Sequence, residues 1–279
     1  MTASSDPVPA ITEAEATGHV AEIYADIRAT LGVPVVNLIW RHLATMPGAL
    51  EWTWSSVRPL YVSGQVASAS AHLRQSLKIP NTPAWPIAVL EAAGLDATAR
   101  TGIAQVLASY DRSNAMNLVA LSALRAKSSG AEDAMPLPDA DPGSDIQGEL
   151  PSLTPIGEMP AATAELVLLL NAIGDPEQRV LASMYRQLSH WPAFLALAWT
   201  RLAPLQHDGS IDTIIAETLK IGQGISSRLA YQMRGPTADL EPQIKAEAEA
   251  ALDLFIRYAI GRMVPIGRML AAAFPGESA

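Results

Sequence analysis

The sequence predicts an all-α protein made of two homologous helical repeats packed as an intramolecular pseudo-dimer. Two observations carry that expectation. First, the stretch from Arg41 to Gly64 returns at Arg186 to Gly209 with a constant offset of 145, and eight of 24 positions are identical. The matching pairs include Arg41/Arg186, Pro47/Pro192, Trp54/Trp199, Pro59/Pro204 and Gly64/Gly209. Average composition gives roughly one or two such matches by chance, so an internal duplication is the natural reading. Second, apolar residues recur with the helical period along most of the chain, and no segment alternates with period two long enough for a strand. Residues 1–126 form the first repeat, 127–160 a linker and 161–279 the second repeat. Two similar halves of this kind pack about a twofold-like axis, and a pocket at their interface is the expected site.

The elements follow in order. Residues 1–11 read as a loose arm. Thr12 and Glu15 form a capping-box pattern that opens a helix carrying Val20, Ile23, Tyr24, Ile27 and Leu31. Gly32 and Pro34 end it. A short helix over 35–45 stops at Pro47, which suits the first turn of a third helix closing at Pro59 to Gly64. A fourth runs over 65–77 until the turn at 80–83. Asp96 is the N-cap of a long helix reaching Lys127, interrupted by the polar run Tyr110-Asp111-Arg112-Ser113-Asn114 and then Asn117. Between Lys127 and Pro160 there are six Pro, four Gly and seven acidic residues against one Lys, a composition that cannot form a core. The second half repeats the plan with helices over 161–173, 176–190, 192–204, 211–233, 240–260 and 263–274. Trp54 and Trp199 are expected in the core.

Bulk properties exclude several functions. The chain has 279 residues, 49% hydrophobic content and 17% charged residues, enough to bury a large core. Its net charge of −9 and lack of a basic cluster argue against nucleic acid. The absence of Cys removes disulfides, thiolate metal sites and thiol nucleophiles. Five His without ligand spacing predict no metal, and Gly222-Gln223-Gly224 lacks the preceding strand of a dinucleotide loop, so no cofactor is expected. No apolar run reaches the roughly 18 residues of a membrane span. The first residues lack the pattern of a secretion signal. A cytoplasmic protein acting on a small molecule is the expectation, with a homodimer left open.

From Leu31-Gly32-Val33-Pro34 through Arg41-His42-Leu43-Ala44-Thr45-Met46-Pro47-Gly48, the chain resembles the group I 2-haloacid dehalogenases. The echo at Leu188-Ser189-His190-Trp191-Pro192 and the pair Ser113-Asn114 carry the same resemblance, which covers nearly the whole chain. It implies an all-helical pseudo-dimer, distantly similar to the alkylhydroperoxidase D-like fold. It also implies cleavage of a carbon–halogen bond in a small organic acid with inversion, without metal or covalent intermediate. In that family an Asp activates a water with help from an Asn. The Asn matches Asn114, whereas the Asp position holds Met184. A thioether cannot take a proton from water at neutral pH. Ser183 matches a pocket position, and the aromatic pocket positions fall on Val35 and Leu38.

The residues themselves give two further groups of candidates. Asp111, Asn114 and Asn117 share helical spacing: they form either a polar cluster holding a water or substrate, or a helix break satisfying freed backbone groups. Asp111 is the candidate substitute base. Trp40, Tyr185 (its counterpart at the offset of 145) and Tyr258 are candidate pocket walls, while Arg41, Arg186 and Arg257 bind either a carboxylate or, as favoured here, internal carbonyls. Three functions remain open. One is displacement of a leaving group by a nucleophile of the substrate itself, as in closure of an aziridine. The others are hydrolytic dehalogenation with a relocated base, and binding without turnover.

Overall fold

The computed structural model describes residues 7–80, 83–234 and 239–275. Most of the loose arm, residues 1–6, and the centre of the 80–83 turn lie outside the described residues. Twelve α-helices make up the described fold, with no strand among them. The first half holds α1 (Gly18–Leu31), α2 (Leu38–Leu43), α3 (Ala49–Val62), α4 (Gln65–Ser76), α5 (Ile87–Ala92) and α6 (Ala97–Ser129). The second holds α7 (Ala161–Asn171), α8 (Ser183–Leu188), α9 (Pro192–His207), α10 (Ser210–Gln232), α11 (Pro242–Phe255) and α12 (Gly261–Ala273). A π-helical turn, Ile256–Ile260, joins α11 to α12 without a break, so the two helices expected over 240–274 are one continuous rod. Gly261 permits this: a Cβ there would stand 2.6 Å from the Ile256 carbonyl oxygen and 2.5 Å from Leu219.

Helix α6 is the axis of the molecule and packs against α4, α10 and α12. Asp96 caps it as the sequence predicts, its side chain accepting from Ala99 N at 2.8 Å. Every residue from Ser109 to Leu121 is buried, so the polar run is no break. It is a helix segment enclosed on all sides, whose polar groups must find partners in the interior.

Several elements differ from expectation for local reasons. The Thr12/Glu15 box forms, with Glu15 N donating to Thr12 Oγ1 at 3.3 Å and Thr12 N to the Glu15 carboxylate at 3.0 Å. It closes a separate turn, and α1 starts only at Gly18. The helix expected over 176–190 shrinks to α8. Asp175 accepts from the backbone N–H of Arg179 at 2.9 Å and from its guanidinium at 2.5 Å, a local turn that competes with helix. Pro59 and Pro204 sit inside α3 and α9 rather than ending them. Trp199 is 37% exposed: the inward face of α9 is Phe194, Leu195, Ala198 and Leu202, and the next residue points about 100° away. Trp54 is buried, with its Nε1–H held by Asp26 at 2.7 Å.

Helix α6 runs on to Ser129, into the stretch 127–160 expected as a linker, and residues 131–155 are irregular. These residues lie on the first half as a strap. Ile146 N donates to Gly32 O at 2.9 Å. Gly32 has φ +63, and any Cβ there would collide with Asp145. Three pairs of helices begin 145 residues apart: α2 and α8 at Leu38 and Ser183, α4 and α10 at Gln65 and Ser210, α6 and α11 at Ala97 and Pro242.

Candidate functional site

A small cavity of about 30 Å³ lies where both halves of the chain meet. The first half contributes Asn37, Leu38 and Ile39 at the start of α2, and Tyr110 and Asn114 from α6. The second contributes the approach to α8 from Val180 to Met184, then Phe255, Ala259, Ile260 and Met263 around the π-turn. Such turns are frequent at functional sites because they re-aim side chains without ending the helix.

The polar groups are few and tightly arranged. Asn37 donates from Nδ2 to Ser113 Oγ at 3.0 Å and to Asn114 Oδ1 at 3.2 Å. With its oxygen engaged, Asn114 keeps its amide N–H groups as donors. Asn37 Oδ1 is buried without a hydrogen-bond partner, and the buried Tyr110 hydroxyl has the Ser183 side chain beside it. Burial pushes the Tyr110 phenol well above its ordinary value, so it is a neutral donor. Arg41 donates from Nη2 to Ser183 Oγ at 2.8 Å and from Nε to Val36 O at 3.1 Å. Burial, assisted by Arg186, lowers the Arg41 pKa against the opposing pull of Tyr110 and Glu13. Met184 is buried, and its sulfur lies about 3.9 Å from where a Cβ on Gly267 would stand. No carboxylate and no His line the cavity.

The structure thus gathers Leu38, Asn114, Ser183 and Met184 around one space and leaves the other candidates outside its wall. Asp111 is held by Arg74 at 3.2 Å and Arg268 at 3.3 Å, so its carboxylate serves an ion cluster. Asn117 accepts from Trp40 Nε1 at 3.2 Å and from Tyr61 Oη at 2.9 Å, which anchors both Asn117 and Trp40 in the core. Val35 is packed in the core, as is Tyr185, whose phenol burial pushes up to about 12. Tyr258 faces the outside of the π-turn beneath the Arg179 guanidinium, 4.0 Å from the ring centre. Arg186 donates to Thr154 O at 3.0 Å, a carbonyl-binding role, while Arg257 is exposed. Asn37 and Tyr110 are the polar wall residues that sequence reasoning missed. Tyr110 carried a signal, four residues before Asn114 and therefore on its face; Asn37 read only as a residue of the short helix expected over 35–45.

The described residues contain no group of three His, Asp or Glu able to hold a metal. No described helix is long and apolar enough to cross a membrane.

An all-helical fold with a cavity walled by both halves, mostly apolar with a few polar groups and no carboxylate, is the class of protein that the architecture defines. No family model matches the chain. It is 24% identical over 265 residues to a configuration-inverting 2-haloacid dehalogenase of Alcaligenes xylosoxydans xylosoxydans, covering 90% of this chain and 88% of that protein. Over a shorter stretch of 55 residues it is 36% identical to an (R)-2-haloacid dehalogenase of Pseudomonas putida, covering 19% and 18%. Among solved structures it is similar to a D-2-haloacid dehalogenase mutant, with TM-score 0.74, 19% identity and coverage of 95% and 96%. A mutant of that type in complex with D-2-CPA gives TM-score 0.69, 18% identity and 96% coverage of both chains. The relatives and solved structures to which the chain is similar are 2-haloacid dehalogenases.

Proposed function

We propose that the protein is a dehalogenase-like enzyme that displaces a leaving group from a saturated carbon of a small organic acid, with a nucleophile carried by the substrate. The observation that carries this reading is the shared cavity of Asn114 and Met184, whose wall also holds the unpartnered Asn37 Oδ1 and, beside Ser183, the Tyr110 hydroxyl. Polar atoms buried without partners cost free energy unless a ligand or water meets them. A cavity of about 30 Å³ has room for little more than a water or two, so a substrate enters as the flexible Met184 side chain yields.

The chemistry follows from the wall. Tyr110 and the Asn114 amide are neutral donors, suited to stabilise a departing anion. With no base on the wall, a water there would have nowhere to pass its proton. A substrate amine in its neutral form needs no base in the bond-forming step: its lone pair forms the carbon–nitrogen bond and closes a ring such as an aziridine, while the carbon–halogen bond breaks with its electron pair leaving as halide. The ring nitrogen, protonated at that point, gives up its proton to bulk water once the product has left the cavity. Ion pairing of Asp111 with two Arg removes the support for hydrolysis through that residue.

The same reading takes the two halves as copies related by a pseudo-twofold axis. The common spacing of 145 for three pairs of helix starts supports it, as do the side-chain caps Asp96 and Glu241, the same 145 apart.

The test is halide release from both enantiomers of 2-chloropropionate and from a 2-halo acid bearing a free amine, by the native protein and Met184→Asp. Release from the amine substrate alone by the native protein, with hydrolysis of 2-chloropropionate gained by Met184→Asp, is the expected pattern. Hydrolysis of 2-chloropropionate by the native protein would overturn the substrate-borne nucleophile. Binding of both acids with no halide from any pairing would make the protein a binder rather than an enzyme.

A further inference from the structure

We infer that the cleft between α6, α10 and the π-turn is a docking groove for an extended acidic peptide segment of another protein. The precedent lies within the molecule, where the strap treats the first half as such a groove. Ala140 N donates to Ser68 Oγ at 3.0 Å, and Arg74 Nη2 donates to Pro142 O at 3.3 Å. Arg112 Nη1 reaches the carbonyls of Pro142, Gly143 and Ser144 at 3.0, 3.3 and 3.4 Å, and Nη2 holds Asp145 at 3.0 Å. One helix arginine grips three successive carbonyls and a carboxylate of an extended chain, a job its planar fork suits and a lysine does poorly.

On the duplication reading above, an offset of 145 carries Arg112 to Arg257, Arg74 to Leu219 and Ser68 to Thr213. Arg257 and Leu219 line a cleft of about 1060 Å³; among the described residues the strap contributes to its lining only Ala131, Glu132 and Asp133, with Asp133 N donating to Ser227 O at 3.0 Å. Its floor is apolar, with Leu118, Leu219, Leu254 and Ile256. Its acids are already spent within the chain: Asp253 on Arg125 at 2.8 Å, Asp133 on Arg228 at 3.4 Å and Glu132 on Lys127 at 3.1 Å. Among the described residues no carboxylate pairs with Lys220 or Arg257, both exposed and both on the cleft. The uncompensated charge of the groove is therefore positive, complementary to an acidic segment. Along α10 the lining from Leu219 to Ser227 spans about 12 Å, the length of about four extended residues. An apolar trough with cations at its rim takes alternate side chains on the floor and acidic or carbonyl oxygens at the rim.

The experiment is fluorescence anisotropy of a labelled, end-blocked peptide with the sequence of residues 134–146, titrated with the full chain. Saturable binding is expected, weakened about tenfold by Arg257→Ala and severalfold by Lys220→Ala and by 0.5 M salt. Arg257→Lys should recover only part of the loss. Absence of saturable binding up to millimolar protein would overturn the inference. So would equal binding by the native chain and the correctly folded Arg257→Ala variant, because the peptide would then be exchanging with the chain's own strap. Either failure leaves the cavity chemistry standing, since halide release through Met184→Asp reports on a different place.

Discussion

Arg41 on α2 donates from Nη2 to Ser183 Oγ at 2.8 Å, joining residues 142 apart in the chain at the edge of the cavity. The guanidinium is 2% exposed and has no carboxylate at ion-pair distance among the described residues. At short range its charge is therefore supported by hydrogen bonds to Ser183 and Val36, with Tyr110 and Glu13 favouring it electrostatically. Ser183→Ala removes one and leaves a buried cation short of a partner, at a cost of about 1.5–3 kcal/mol. Urea unfolding of Ser183→Ala and Ser183→Thr checks this, with Thr retaining most of the stability. A loss below about 0.5 kcal/mol, the usual spread of an indifferent substitution, would show that Arg41 is satisfied by other means.

Asn114 separates structural from chemical roles because its two ends do different work. Its oxygen accepts from Asn37 at 3.2 Å, and its nitrogen is the donor assigned to the leaving group. Asn114→Asp keeps an acceptor for Asn37 and loses the donor, whereas Asn114→Ala loses both. Turnover should fall by about 10²-fold or more in both variants, while Asn114→Ala alone should lose the Asn37 hydrogen bond, about 1 kcal/mol. Halide release measured beside thermal unfolding distinguishes these. Full turnover in Asn114→Asp would remove the donor role.

The sequence carried the all-helical class and the location of the polar run, because helical period and capping chemistry are local. Asp96 shows this: an Asp before a long periodic stretch has one economical use, and the structure puts it to that use. The Thr12/Glu15 box shows the limit, since the same hydrogen bonds close a turn as readily as a helix. Asn114, Ser183, Met184 and Leu38 meeting in one cavity was legible only through the family resemblance. Period identifies a buried face without saying what lies opposite, which is why Trp40, Val35 and Tyr185 were placed on a pocket and are found in packed core. Asp111 was misread for a related reason. Its partners Arg74 and Arg268 come from α4 and α12, and no spacing rule links three distant helices.

Acid sensitivity should concentrate at Asp26. Its carboxylate accepts from Arg58 Nε at 2.6 Å, Arg58 Nη2 at 2.9 Å and Trp54 Nε1 at 2.7 Å. Arg58 first, and then Trp54, hold its pKa below the ordinary 3.8 against the opposing effect of burial. Between the lowered folded value and the unfolded value near 3.9, the unfolded chain binds more protons. This stabilisation is complete above the unfolded value and lost as pH falls through the folded one. Asp26→Asn should therefore flatten the fall in stability below about pH 4 while leaving its slope near neutrality unchanged. Urea midpoints at successive pH values read this, and an unaltered acid limb would assign the sensitivity to other carboxylates.

The two long helical rods offer a matched pair of caps. Asp96 accepts from Ala99 N at 2.8 Å at the head of α6, and Glu241 accepts from Ile244 N at 3.1 Å at the head of α11. Both acceptors neutralise an otherwise unpaired N–H and place negative charge at the positive end of the helix dipole. Asp is among the best N-cap residues, so Asp96→Ala should cost about 1 kcal/mol. Glu reaches the same N–H with one more rotatable bond to fix, so Glu241→Ala should cost less, and Glu241→Asp should stabilise by a few tenths of a kcal/mol. The caps share no partner, so the double alanine variant should lose the sum within about 0.5 kcal/mol. Chemical denaturation of the four variants measures all three relations. Destabilisation by Glu241→Asp would mean that α11 begins differently from α6 in solution, which would weaken the reading of these rods as copies of one element.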